Sequence, residues 1–247
     1  MLSVIIIAKN EAGAIRNCLE SVAWADEIVV LDSGSSDETV AICREYGAIV
    51  QITDWPGFGP QKNRALNLAS SDWILSLDAD ERITPELRRE IETAMASPDK
   101  YNAFRIPRSS SYCGRFMRHG GWWPDYVTRL FRRGSAHFTD DLVHERLEVI
   151  GATGTLSQPL LHIAFTDLEE VLDKVNRYSS AGAAMQHARG RKASLGSAVL
   201  HGLWSFLRTY VLRGGFLDGR EGFMLAVSNA EGTYYRYLKL MLLADRK

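Results

Sequence analysis

Three aspartates stand where a parallel α/β sheet would use them. Asp32 follows the apolar run Ile28 to Leu31, and Asp78 and Asp80 follow the run Trp73 to Leu77. Ligands enter such a sheet at the carboxyl ends of its strands. Two carboxylates separated by one residue can both face a divalent cation, and Mg²⁺ or Mn²⁺ takes such oxygen ligands together with substrate phosphates. An Asp-x-Asp is also an ordinary solvated turn; its position after an apolar strand, four βα steps into the chain, favours the ligand reading. No G-x-G-x-x-G follows the first strand, and neither G-x-x-x-x-G-K-[ST] nor G-x-S-x-G occurs anywhere. Dinucleotide oxidoreductases, P-loop hydrolases and enzymes with a serine nucleophile elbow are therefore unsupported.

The elements that must position these acids alternate between two periods, as βα units do. Val4 to Ile7 and Ile28 to Leu31 are strand-length apolar runs, and between them Ile15, Cys18, Leu19 and Val22 share one helical face. Ser35 and Glu38 have capping-box spacing and predict a helix running toward Tyr46. Ile49 to Ile52 is a third strand, Trp55 to Pro60 a loop, and Gln61 to Leu68 a helix with Lys62 in its first turn. Thr84 with Pro85 opens another helix. Beyond Ala103 to Ile106 the pattern loosens over Ser109 to Pro124, with a short strand at Val127 to Phe131, and from Asp167 it is mostly helical. What remains is a nucleotide-binding sheet with a metal site and no glycine cradle, which suits a nucleotide-sugar enzyme whose diphosphate is held by a cation.

The whole-chain properties agree. A length of 247 residues allows one large domain, or one domain with an elaborated end, and a hydrophobic fraction of 46% supplies a sizeable core. The formal charge of -1 argues against nucleic acid as a partner. Cys18, Cys43 and Cys113 are an odd number without metal-ligand spacing and read as small buried hydrophobes in a reducing compartment. The N-terminus reads as a strand and not as a signal peptide, and Ala198 to Leu212, interrupted by His201 and Arg208, falls short of the ~20 residues that span a bilayer. The expected location is cytoplasmic. One block departs from neutrality: Lys174 to Leu217 holds seven Lys or Arg and no Asp or Glu.

Ser3-Val4-Ile5-Ile6-Ile7-Ala8-Lys9-Asn10-Glu11, Val29-Val30-Leu31-Asp32-Ser33-Gly34-Ser35-Ser36-Asp37-Glu38-Thr39, Lys62-Asn63-Arg64-Ala65 and Leu77-Asp78-Ala79-Asp80-Glu81, in this order, resemble the motifs of the family 2 glycosyltransferases of GT-A fold. Trp122-Trp123-Pro124-Asp125, Arg129-Leu130-Phe131, Val143-His144-Glu145 and Gly215-Phe216-Leu217-Asp218-Gly219 are similar to a bacterial subgroup typified by the lipopolysaccharide core β-1,4-glucosyltransferases. The resemblance implies a Rossmann-like, mostly parallel sheet flanked by helices, with a GT-A catalytic domain at residues 1–165 and a helical C-terminal extension at 166–247.

It also implies roles. Asp32 would read the uracil edge of a UDP-sugar donor, with Ala8, Asn10, Glu11 and Lys62 nearby; Asp80 would ligate Mg²⁺ or Mn²⁺, with Asp78 beside it directly or through the ribose. Glu11 and Asp37 also suit helix N-termini as plain charges, whereas the sequence offers Asp32 no structural alternative. An inverting transfer needs a base for the acceptor hydroxyl; Glu145 best resembles that position, Asp141 is the alternative, and an exposed acidic loop is the bland reading. His162 or His144 would complete the metal shell unless it is a structural histidine. Trp122, Trp123 and Asp125 are candidates for the acceptor, the tryptophans equally so for the core, and Arg129 for the diphosphate charge.

The expected protein is thus an inverting, metal-dependent enzyme moving glucose from UDP-glucose to a lipopolysaccharide core or related glycolipid at the inner face of the membrane. The alternatives are another UDP-hexose or hexosamine with another lipid-linked acceptor, and a catalytically silent sugar-nucleotide or glycolipid binder. In the cationic block, Leu200, Leu203, Trp204, Leu207 and Val211 fit one helical face, which either packs on the catalytic domain or lies in a membrane interface with its cations on anionic lipid.

Overall fold

The computed structural model describes residues 1–98, 100–140 and 146–245. In chain order the elements are β1 (Leu2–Ala8), α1 (Ile15–Val22), β2 (Glu27–Asp32), α2 (Thr39–Glu45), β3 (Ile49–Ile52), α3 (Phe58–Leu68), β4 (Trp73–Asp78), β5 (Glu81–Arg82), α4 (Pro85–Ala96), β6 (Tyr101–Tyr112), β7 (Arg115–Phe116), β8 (Asp125–Arg132), β9 (Ala136–Phe138), β10 (Leu147–Val149), β11 (Ala152–Thr155) and β12 (Leu160–Phe165). Helices α5 (Leu168–Ala188) and α6 (Leu195–Leu207) follow, then a π turn at Arg208–Leu212, a 3₁₀ turn at Gly215–Asp218 and α7 (Gly219–Asp245). The chain forms two compact units, one of Met1–Arg108 with Asp125–His162 and the other of Ser109–Pro124 with Ile163–Lys247.

The first unit is built on a sheet of order β3-β2-β1-β4-β8-β6-β12-β5. β3, β2, β1 and β4 are parallel, and β8 then runs antiparallel to both β4 and β6. Val4, Ile5, Ile6, Val29, Val30, Leu31, Ile74, Leu75 and Leu77 are at most 1% exposed, which is why these strands read as unbroken apolar runs: helices cover both faces. On α1 the four residues of the apolar stripe, Ile15, Cys18, Leu19 and Val22, are all buried. Thr84 accepts from Leu87 N and Pro85 opens α4, as the sequence indicates.

Three local readings are corrected. The Ser35 and Glu38 capping box does not form, because Ser35 Oγ donates to Asp32 instead; Asp37 Oδ1 accepts from Thr39 N at 3.0 Å, and α2 begins at Thr39. Helix α3 starts at Phe58, ahead of Gln61, so the loop is shorter and Lys62 lies past the first turn. The Ser109–Pro124 stretch is not wholly loose, since β6 continues to Tyr112 and turns back through β7.

The second unit is a helical assembly. Lys239 of α7 donates to Asn176 O and Ser179 Oγ of α5 at 3.0 and 2.8 Å. α6 packs closely on α7 through Ala198 and Gly202, where a Cβ would meet Tyr234 Cβ at 3.2 Å. The C-terminal region is thus helical, as expected. Among the described residues no helix is long and apolar enough to cross a membrane.

Candidate functional site

The carboxyl ends of β1, β2 and β4 carry the candidate donor residues, and the parallel register aligns Ala8 with Asp32 and Ile7 with Asp78. Asp32 is 1% exposed, and its Oδ1 accepts from Gly34 N at 2.9 Å and Ser35 N at 2.8 Å while Oδ2 accepts from Ser35 Oγ. The sequence offered this residue no structural role; the fold supplies one, since the carboxylate orders the turn after β2. Of the ≈ four lone-pair sites on a carboxylate, three are used, so one direction stays open to a donor. Ala8 O accepts from Ser33 N, and Glu11 N donates to Thr39 Oγ1 at 2.8 Å. Asn10, at φ 56°, donates from its backbone N to Ser35 Oγ and accepts from Ser36 N, each at 2.8 Å. The two motifs after β1 and β2 are stitched together.

A charged cluster lies at the end of β4. Lys62, nearly buried on α3, places Nζ 3.0 Å from Asp78 Oδ1, and Arg129 on β8 binds both Asp78 Oδ2 and Glu81 Oε1, the latter at 2.7 Å. Glu81 is fully buried; its Oε2 accepts from Asp78 N at 3.1 Å, and Arg108 lies 3.5 Å from its Oε1. Burial would raise the Asp78 carboxyl, but Arg129 and Lys62 outweigh it and hold it well below the usual carboxylate range. Burial prevails at Glu81, whose carboxyl is raised despite Arg129, with Asp78 adding to the rise. Arg129, expected at the diphosphate, is committed here to two carboxylates. Glu81 and Arg108 are the members the sequence reading did not assign; the only signal was Glu81 ending the Leu77-Asp78-Ala79-Asp80 motif.

Asp80 differs from its neighbour. His162 Nε2 on β12 lies 3.3 Å from Asp80 Oδ2, while Oδ1 is buried and has no hydrogen-bond partner among the described residues. Such an orphaned oxygen calls for a ligand, and a carboxylate with an imidazole beside it fits a divalent cation. Both oxygens of Asp78, by contrast, already face cations. Among the described residues no group of three His, Cys, Asp or Glu could hold a metal. Asp141 and Glu145, the candidate bases, and His144 lie outside the described residues.

The acceptor candidates divide between the units. Asp125, in the first, pairs with Arg108 Nη2 at 2.6 Å. Trp122, in the second, packs with Tyr112 and Phe165 at ring distances of 5.8 and 6.2 Å, and Arg118 stacks over Trp123 at 4.8 Å. Trp122 also borders two cavities, one of 270 Å³ shared with Lys174 and Tyr178 and one of 300 Å³ shared with Arg208 and Arg213. Asp218 of the Gly215–Gly219 motif is structural: it accepts from Arg118 N and His119 N at 3.1 and 2.7 Å. The apolar stripe of the cationic block points outward: Leu200, Leu203, Trp204, Leu207 and Val211 are 68, 59, 56, 48 and 51% exposed.

An α/β sheet with acids and cations gathered at its strand ends, followed by a helical region, is the arrangement of a GT-A enzyme. The chain belongs to glycosyl transferase family 2, whose profile matches residues 3–147. It is 32% identical over 256 residues to an uncharacterized glycosyltransferase of Rickettsia felis, spanning 97% of this chain and 89% of the relative. It is 31% identical over 249 residues to the lipopolysaccharide core biosynthesis glycosyltransferase LpsC of Rhizobium meliloti, spanning 96% and 89%. Among solved structures, residues 1–349 of S. aureus TarS in complex with UDP align over 99% of this chain and 92% of that one, with a TM-score of 0.51 at 17% identity. That last likeness is one of fold.

Proposed function

We propose that this glycosyltransferase is inverting and metal-dependent, moving a hexose, with UDP-glucose the favoured donor, to a lipopolysaccharide core or related glycolipid. The observation that carries the reading is Asp80, whose Oδ2 lies beside His162 and whose buried Oδ1 has no partner among the described residues, two residues past an Asp78 kept ionised by Lys62 and Arg129. Asp80 and His162 would hold Mg²⁺ or Mn²⁺, which supplies neutralisation of the diphosphate charge as it departs. Asp32 accepts from the uracil N3–H through its open lone pair, and Ala8, Asn10 and Glu11 line the base and ribose. Lys62 and Arg129 fix Asp78 for the ribose. Glu145, or Asp141 in its place, removes the acceptor hydroxyl proton as that oxygen bonds the anomeric carbon and the UDP oxygen leaves from the opposite face. Trp122 and Trp123 offer stacking surfaces and Asp125 a hydrogen-bond acceptor for the incoming sugar. Residues 1–165 carry the chemistry and 166–247 the helical extension.

The relationship to LpsC supports the acceptor class, and the exposed apolar stripe amid cations supports attachment to the inner membrane surface. Release of UDP from a panel of UDP-hexoses and UDP-hexosamines, with Mg²⁺ or Mn²⁺ and with or without a glycolipid extract, tests the proposal. Glycolipid-stimulated release from UDP-glucose is expected. Stimulation by another UDP-sugar alone replaces the donor assignment, and release unaffected by excess chelator refutes the metal.

A further inference from the structure

The π turn between α6 and the 3₁₀ turn gives the second unit a feature that helical spacing hides. Arg208 and Arg213 are five residues apart, and in an α-helix they would diverge by about 140°. Here Arg213 N bonds Arg208 O at 2.9 Å, closing an i→i+5 turn, and both arginines line the same 300 Å³ cavity. Hydroxyl and amide groups of Ser205, Thr209, Asn229 and Thr233 share its walls. Gly120 and Gly121, at φ +67° and +86°, form its rim; Gly120 N donates to Arg213 O at 2.9 Å, and a Cβ on Gly121 would stand 2.3 Å from Arg213 Nη1. The glycine is what lets the guanidinium lie against the loop. No ion pair engages Arg208 or Arg213 among the described residues, and the acids nearest in sequence are engaged elsewhere, Glu221 by Arg220 and Asp218 by His119. The same segment presents Leu207, Val211 and Leu212 at 48, 51 and 65% exposure.

We propose that this cavity binds the phosphate of a lipid headgroup, with the two guanidinium groups on its oxygens, while the exposed leucines and valine of the same segment enter the lipid. Guanidinium matches phosphate by paired, charge-assisted hydrogen bonds, and exposed apolar side chains in the same segment are what favour a headgroup over a soluble anion. The inference rests on the membrane-surface reading above, and its test is read without transferase activity.

The full chain is co-sedimented with phosphatidylcholine vesicles containing phosphatidic acid, at about 0.5 M NaCl so that diffuse attraction is screened. Arg208→Gln with Arg213→Gln should weaken binding roughly tenfold or more, and Arg191→Gln with Lys192→Gln, which removes equal charge outside the cavity, should weaken it less than about threefold. Equal effects of the two variants, or none from the first, overturn the site. Inorganic phosphate is the second probe: if it raises the melting temperature of the wild type but not of the Arg208/Arg213 variant, while vesicle binding ignores that variant, the cavity serves a soluble anion and the headgroup assignment is overturned. Leu203→Ser with Trp204→Ser checks the apolar face separately. Its loss of binding to vesicles supports the membrane reading, and unchanged binding of that variant refutes the reading.

Discussion

Replacing Arg129 by Met removes the one cation that bridges Asp78 and Glu81. Asp78 keeps Lys62 at 3.0 Å and is 34% exposed at its side chain, so water and the lysine compensate much of its loss. Glu81 is fully buried and, among the described residues, keeps Arg108 at 3.5 Å as its cation and the hydrogen bond from Asp78 N. The uncompensated charge is therefore that of Glu81, and breaking a buried pair from one side costs about 3–5 kcal/mol. At ~2–4 °C per kcal/mol for a unit of this size, the melting temperature should drop by roughly 6–20 °C. Adding Glu81→Gln removes the stranded charge while its amide oxygen can still accept from Asp78 N, so the double variant should recover about 2–3 kcal/mol of coupling. Urea unfolding followed by tryptophan fluorescence for the wild type, both single variants and the double closes the cycle. A loss under about 1 kcal/mol for Arg129→Met, or a coupling near zero, refutes the account of the cluster.

The same cluster predicts a pH profile. Glu81, with its carboxyl raised in the fold, contributes stability that is full below the ordinary glutamate value and lost as pH rises through the raised one, whereas the depressed Asp78 contributes above the ordinary aspartate value and loses it as pH falls. Stability should peak in mild acid, and Glu81→Gln should flatten the alkaline limb alone in urea midpoints taken from ~pH 4 to ~8. Asp80→Ala should abolish transfer without loss of fold, and activity of that variant equal to wild type in a UDP-release assay removes Asp80 from the chemistry. Glu145→Gln should lower turnover by roughly a hundredfold or more at near-normal donor affinity; if Asp141→Asn does so instead, the base is Asp141. Asp32→Asn should keep the turn, since the amide oxygen still accepts both backbone N–H groups, yet weaken UDP binding about tenfold or more by calorimetry.

Much of the first unit was legible because its signals are local. Buried parallel strands print as apolar runs, and the position of Asp32, Asp78 and Asp80 at or just past their ends could be read from those runs. Glu81 was not, because nothing local separates it from a solvated turn residue; its role appears only when β8 brings Arg129 across the sheet. The Ser35 capping box failed for a related reason: the hydroxyl had a stronger charged acceptor in Asp32, visible only once β2 and its turn are built. In the second unit, periodicity placed the stripe of Leu203, Trp204 and Leu207 on one face, but a period carries no information about whether protein or solvent lies opposite. The pairing of Arg208 with Arg213 was invisible for a sharper reason, since it depends on a departure from the very helical period used to read the sequence.

The strand-end acids are held by three different means, and the means fix what each can do. Asp32 is bonded by backbone N–H groups and a serine hydroxyl, partners that hold shape and, among the described residues, leave its charge unpaired by a cation, so a neutral donor such as an imide N–H suits it. Asp78 is satisfied by Lys62 and Arg129, which cancel its charge and fix its orientation; a metal ion arriving there would compete with two cations already in place. Asp80 has neither arrangement, with one oxygen beside an imidazole and the other buried without a donor among the described residues. A buried carboxylate oxygen left so costs stability that a bound cation would restore. Of these three carboxylates, the one with a buried oxygen lacking any donor among the described residues is therefore the one best suited to the proposed cation, while Asp78 is held for shape and Asp32 keeps one lone pair for recognition.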